Sequence, residues 1–181
     1  MNQTRKTQIT PKFTAYMAVS IDGVLAENGK SGNRWTSRED QAFFQKALSK
    51  HDGFATGYNT FKIAEKKVKK RRNVLVFTSK KRNKGVPESV TFADPKRFSP
   101  RKFFTGRGCK NVAVLGGPGV YAYFLEHGLL DELFITVEPY VFTKGVPMFF
   151  GSKFKAHSFV LKSARRLNKN GTLLLKYKHA S

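Results

Sequence analysis

The stretch NVAVLGGPGVYAYFLEHG, residues 111–128, passes from apolar residues into Gly116, Gly117, Pro118 and Gly119, then into an amphipathic segment. A short apolar run bounded by glycine reads as a buried strand, and the residues beyond the turn read as a helix opened by proline. Glycines at such a turn have two readings. They let the chain change direction through backbone angles closed to other residues, or they let an anion approach the free N–H groups of the helix start. The spacing is not G-x-G-x-x-G and no GK[ST] follows, so by itself the turn favours the structural reading.

The alternation of strand and helix extends outward from this turn. Residues 13–20, FTAYMAVS, form an apolar run of strand length, followed by a long glycine-containing loop that ends near Trp35. Residues 36–51 have helical periodicity: Thr36 or Ser37 can cap, Glu39 and Asp40 suit the positive end of the dipole, and Phe43, Phe44, Ala47 and Leu48 share one face. Asp40 precedes Phe44 by four residues and so lies on that apolar face, where a carboxylate needs a partner. The plainer alternative is a helix-start aspartate that only caps. Residues 52–57 and 73–80 read as strands, 58–70 as a helix, 88–94 as a weaker strand, 94–106 as a short irregular helix and 131–142 as a strand. Residues 157–178 carry two strand-like runs around Asn170-Gly171, a hairpin signal. The pattern predicts an α/β fold: a central mixed, mostly parallel sheet flanked by helices on both faces, closed by a C-terminal antiparallel hairpin.

Length and composition predict one domain over 13–181 behind a disordered polar tail, 1–12. Seventeen Phe support a packed core, while no apolar run reaches the ~20 residues that cross a bilayer. No secretory signal is visible, and the single Cys109 precludes an internal disulfide, so a reducing cytoplasm is expected. Lys and Arg total 34 against 12 Asp and Glu, a net charge of +22, most densely over residues 62–84. Such a field attracts polyanions and steers anionic small molecules. No helix-turn-helix, zinc-finger or RNA-recognition motif accompanies it, and specific nucleic-acid binding is not expected. His51, His127, His157 and His179 are scattered, so no metal site is predicted. Chemistry would then rest on one buried carboxylate and a bound cofactor. Ligands of such sheets collect at the carboxyl ends of the strands. The loop after Ser20, the glycine turn, Thr60, and Thr78 and Ser79 with Lys80, Lys81 and Arg82 all fall there, a set suited to a cofactor with several phosphates.

The ordered set AYMAVSIDGVLA, RWTSREDQAFF, GYNTF, RRNVLVFTS, VLGGPGVYAYFL and DELFITVEP resembles the dihydrofolate reductase superfamily. That superfamily includes the bacterial dihydrofolate reductases and the reductase domain of bifunctional riboflavin-biosynthesis enzymes. The resemblance runs from about Phe13 to Lys178 and implies NADPH as cofactor. It implies Asp40 as the acid that binds the substrate ring, with Trp35 and Thr136 beside it, and Phe44, Arg71 and Leu115 as substrate contacts. It places Ala18, Gly57, Thr60, Thr78, Gly116, Gly117 and Tyr121 at the cofactor, so that the glycine turn both redirects the chain and faces the ligand. Gly119 and Val120 of the same turn are expected there too, and Ser79 and Lys80, with Lys81 and Arg82, could meet a 2′-phosphate and favour NADPH over NADH. In the family that glycine pair is cis-linked.

The activity expected first is reduction of 7,8-dihydrofolate to tetrahydrofolate, by hydride transfer to C6 and protonation at N5, in one-carbon metabolism. Two features look instead like the riboflavin-type branch: SIDG, residues 20–23, and FTKGVPMFFG, residues 142–151. The alternative is therefore a reductase of a phosphoribosyl aminopyrimidine or another small substrate. A second alternative, motivated by the charge, is a non-catalytic RNA-associated protein. Gln41 stands where dihydrofolate reductases usually carry an apolar residue, which predicts a wetter pocket. Monomer and homodimer both remain open.

Overall fold

The computed structural model describes residues 9–32, 34–79, 86–152 and 155–180. Lys80, Lys81 and Arg82, assigned to the cofactor phosphates, lie outside these residues, as does most of the N-terminal tail.

In chain order the elements are β1 (Lys12–Ser20), β2 (Val24–Ala26), α1 (Arg38–Leu48), β3 (Gly53–Gly57), α2 (Tyr58–Val68), β4 (Val74–Phe77), β5 (Val90–Ala93), α3 (Pro100–Gly106), β6 (Asn111–Val114), α4 (Pro118–Glu126), β7 (Glu132–Glu138), β8 (Val146–Pro147), β9 (Phe159–Arg166) and β10 (Leu173–His179). Eight strands form one sheet in the order β5-β4-β3-β6-β1-β7-β10-β9. The six from β5 to β7 run parallel, and β10 and β9 add antiparallel, which is the dihydrofolate reductase-like mixed sheet.

β1 lies in the middle of the sheet, which is why its sequence is apolar on both faces. Phe13, Ala15 and Met17 point into the core under α3 and α4; Tyr16 points into the core under α1 and α2. The first of these cores is rich in aromatic rings. Phe13 sits between Phe104 and Phe124, with centroids 5.9 and 5.1 Å away. Phe13→Ala is expected to cost about 3–5 kcal/mol of stability, measured by urea unfolding, because three interlocked rings cannot collapse onto the void.

Three local differences from the sequence reading have physical causes. The 131–142 strand stops at Glu138, since Pro139 has no N–H to continue a ladder. Helix α2 is broken inside at Ala64, whose φ of −110° and ψ of 18° leave the helical region. Most consequentially, the stretch after Ser20, expected as a loop, carries β2, which pairs with β8 in 142–151, a stretch given no element from the sequence.

Candidate active site

The chain leaves β1 toward β3, β4 and β5 by way of α1 and α2 on one face. It returns to β6 and β7 with α3 and α4 on the other. Between these directions, at the carboxyl ends of the strands, lies a cavity of about 1030 Å³. That exceeds the usual space for one drug-sized ligand and suits two ring systems side by side.

Asp40 supplies the cavity's acid. Ser37 caps α1, its hydroxyl accepting from the Asp40 N–H at 3.2 Å, so the third helical residue is fixed with its side chain turned toward the sheet. Asp40 is only 5% exposed. Burial is the main reason its pKa is raised, and the charge of Glu138 adds to it; the hydroxyls of Thr136 and Thr36 act in the opposite direction. Thr36 Oγ1 lies close enough to influence the carboxylate yet makes no hydrogen bond of good geometry, which leaves Thr136 the stronger partner. Gln41, expected to wet the pocket, is exposed and turns back to donate to the Thr36 carbonyl at 3.1 Å.

Most residues assigned from the sequence come together here. Asp40, Thr136, Phe44, Leu115 and Arg71 line the cavity. So do Ala18, Gly57, Thr60, Thr78 and Ser79, and from the glycine turn Gly117, Gly119, Val120 and Tyr121. Two residues stand apart. Gly116 is a backbone anchor, its carbonyl accepting from Gly57 N at 2.6 Å and Thr56 Oγ1 at 3.0 Å; the Gly116–Gly117 bond is cis. Trp35 packs edge-on against Phe142 and Tyr140, at 5.0 and 6.2 Å, with its Nε1 buried and unpartnered, and is not part of the cavity wall.

Two helices open into the cavity without a side-chain cap. α2 follows Gly57 and α4 follows Gly117, whereas α1 and α3 are each capped by a serine hydroxyl. Uncapped helix starts present orphan N–H groups and the positive end of the dipole. In α4 the Val120 and Tyr121 N–H groups already bond the Gly117 carbonyl, so its share of anion binding falls on the turn before them. Gly117 faces Thr60, and a Cβ on Gly117 would lie 3.6 Å from Thr60 Oγ1. These two starts form a cradle that fits the phosphates of a dinucleotide.

The sequence reading missed Lys67 and Glu138. Asn59, Ile63 and Lys67 of α2 and Arg71 beyond its end all reach the cavity; the four-residue spacing of the first three is the signal that pointed to Lys67, although α2 breaks at Ala64 between them. Glu138 follows Thr136 by two in β7 and so falls on the same face of the strand. Among the described residues no group of three potential metal ligands occurs, and no helix is long and apolar enough to cross a membrane.

Fold and site together define a member of the dihydrofolate reductase-like class. Within that class, residues 11–173 match the RibD C-terminal domain family, and the chain belongs to it. Solved structures agree in fold. A Shewanella sp. PV-4 protein assigned to riboflavin biosynthesis superposes with a TM-score of 0.74 at 18% identity, covering 94% of this chain and 99% of that one. RibD of Acinetobacter baumannii gives 0.75 at 17%, covering 94% of this chain and 58% of that one. A Thermotoga maritima diaminohydroxyphosphoribosylaminopyrimidine deaminase/5-amino-6-(5-phosphoribosylamino)uracil reductase gives 0.70 at 16%, covering 94% and 57%. No curated protein sequence matches the chain.

The family overturns the expectation of a dihydrofolate reductase, and with it dihydrofolate as substrate and a role in folate metabolism. The structure shows why the branch features belong together. Asp22, of SIDG, accepts from Thr143 N at 2.7 Å and Phe142 N at 3.2 Å, Ile21 N donates to Tyr140 O, and Met148 N to Gly23 O. SIDG and FTKGVPMFFG are two sides of one wall beside the cavity. The pairing of Asp40 with Arg71, expected to favour a pterin with an acidic tail over a ribose phosphate, is present in the cavity and does not decide the branch.

Proposed function

We propose that this protein is an NADPH-dependent reductase of the riboflavin type, acting on a phosphoribosyl aminopyrimidine. The carrying observation is the distribution of charge in the cavity. Among its described lining residues the only charged side chains are Asp40, from α1, and Lys67 and Arg71, from the α2 side. A substrate with a nitrogen heterocycle at one end and a phosphate at the other matches that division.

The residues divide the work as follows. Gly57, Thr60, Gly117, Thr78 and Ser79 would hold NADPH along the two uncapped helix starts. NADPH, when bound, supplies hydride to an electrophilic carbon. Reduction of a C=N or C=O bond leaves the heteroatom in need of a proton. Asp40, buried and with a raised pKa, is the group placed to hydrogen-bond the substrate nitrogens and deliver that proton. Leu115, Phe44 and Phe134 enclose the rings and exclude water, which strengthens those polar contacts. Arg71 is held by its guanidinium over the Phe54 ring at 4.6 Å, and burial lowers its pKa, so an anion there meets a fixed and partly desolvated cation. Lys67 adds a flexible charge at the mouth.

The test is NADPH oxidation with 5-amino-6-(5-phosphoribosylamino)uracil and with the same compound lacking the phosphate. Arg71→Ala is expected to raise KM for the phosphorylated substrate by about 10–100-fold with little change in kcat, since it removes binding shared by ground and transition states. Lys67→Ala should do the same more weakly. Equal KM values for the two substrates would refute the phosphate assignment. No turnover of either, with NADPH bound, would refute the substrate class.

A further inference from the structure

Glu138 is a buried carboxylate that this chemistry leaves unused. It is 2% exposed, and among the described residues it forms no ion pair. A carboxylate buried without a cation is costly and calls for a purpose. Both its oxygens accept hydrogen bonds: Oε1 from Ser37 N at 2.7 Å, Oε2 from Thr172 Oγ1 at 2.6 Å. Thr172 Oγ1 in turn accepts from Asn168 Nδ2 at 2.9 Å, and Asn168 Nδ2 reaches Glu39 Oε2 at 3.3 Å. One carboxylate thus ties together the cap of α1, the end of β7 and the turn between β9 and β10.

We propose that Glu138 is a positioning residue of this site: through the Ser37 N–H it pins the first turn of α1, and it sets a second carboxylate beside Asp40. The inference rests on Asp40 being the acid of the proposed reaction and is independent of the substrate. The surroundings of Asp40 contain little else that is charged. From α1 itself come Arg38 and Glu39, both exposed, with Glu39 turned toward Asn168. From β7 come Thr136 and Glu138, from the segment before α1 comes Thr36, and Arg165 of β9 lies over Phe43, its guanidinium 5.9 Å from the ring centroid. Glu138 is the one of these whose charge opposes ionisation of Asp40. The donor that holds Glu138 is the N–H of the residue whose hydroxyl holds Asp40 N, so position and charge act through the same turn.

The experiment is a carbon-13 NMR titration of the Asp40 carboxyl in the full-length protein, compared with Glu138→Gln and Glu138→Asp. Glutamine keeps an acceptor for Ser37 N but removes the charge, so the Asp40 midpoint should fall toward the ordinary carboxylate range. Aspartate keeps the charge and shortens the reach. Its midpoint should stay raised while the Ser37 amide exchanges faster. An unmoved Asp40 midpoint in a Glu138→Gln protein that melts as wild type does would overturn the proposal. Should Glu138→Gln not fold, Thr172→Val takes its place. Without the donor to Oε2 the carboxylate that holds Ser37 N is loosened, so the Ser37 amide should exchange faster; an unchanged exchange rate there also overturns it. These readouts need no substrate, so they can fail while the proposed reaction stands.

Discussion

Asp40→Asn is expected to lower kcat/KM by about 10²–10⁴-fold while leaving NADPH affinity within a factor of about two, the range typical for loss of a positioned general acid. Asparagine is isosteric and can still accept from the Thr136 hydroxyl, so the fold around it should persist. What it cannot do is release a proton to the reduced substrate. The wild-type rate should be highest where Asp40 is protonated and should fall as pH rises through its raised pKa. In the variant this limb should vanish. A variant that keeps more than roughly a tenth of the wild-type rate would move the acid elsewhere, against the magnitude general acids show.

The same substitution has a second, opposite consequence. Because the folded-state pKa of Asp40 lies above its unfolded value, the native protein holds more protons than the unfolded chain between those two pH values. Stability contributed by the protonated form is complete below the ordinary carboxylate range and is lost as pH rises through the folded pKa. Asp40→Asn removes that loss. The variant should therefore melt above wild type at neutral pH and close to it under acid conditions, which a thermal scan at two pH values would show. A gain in stability with a loss of rate is what a functional, destabilised carboxylate predicts.

The fold was readable because its strands and helices are long enough for period and punctuation to agree. β1, β6 and the turn into α4 carry continuous apolar runs ending in glycine, and Asn170-Gly171 falls in the turn between β9 and β10. What could not be read is made by few residues or by remote ones. β2 and β8 are three and two residues long, with no alternation to detect, and they meet only because the chain returns after some 120 residues. The break at Ala64 has no proline or glycine to announce it. In the site, Asp40 betrayed itself as an acid four residues before Phe44 on an apolar face. Glu138 was hidden because a glutamate before a proline at a strand end reads as solvent-facing until Ser37 and Thr172 are brought to it by the fold. For the substrate, SIDG and FTKGVPMFFG were legible as riboflavin-branch features, but only as two remote segments; that Asp22 of one holds the Phe142 and Thr143 amides of the other is a tertiary fact.

The glycine turn can be made to separate its two roles. Gly116 has φ of +88°, and a Cβ there would lie 2.8 Å from Tyr121 Cζ and 2.8 Å from its Oη. That ring has nowhere to go: Tyr121 is buried and its hydroxyl donates to the Tyr16 carbonyl at 2.5 Å. Gly116→Ala therefore combines a left-handed backbone with overpacking, about 1–2 and 1–3 kcal/mol, a large part of the stability of a domain this size. Gly119 differs in both respects. Its Cβ would meet nothing within 4 Å, and it stands in the first turn of α4 facing the cavity. Gly119→Ala should leave the melting temperature unchanged or slightly raised, by helix propensity, yet weaken NADPH binding because the methyl enters the space the phosphates would take. Both effects are measured by thermal unfolding and by fluorescence titration with NADPH. If Gly119→Ala binds NADPH as tightly as wild type, the turn only redirects the chain and the cofactor phosphates must sit at the start of α2. If affinity falls without loss of stability, the turn faces the ligand through Gly119 and holds the fold through Gly116.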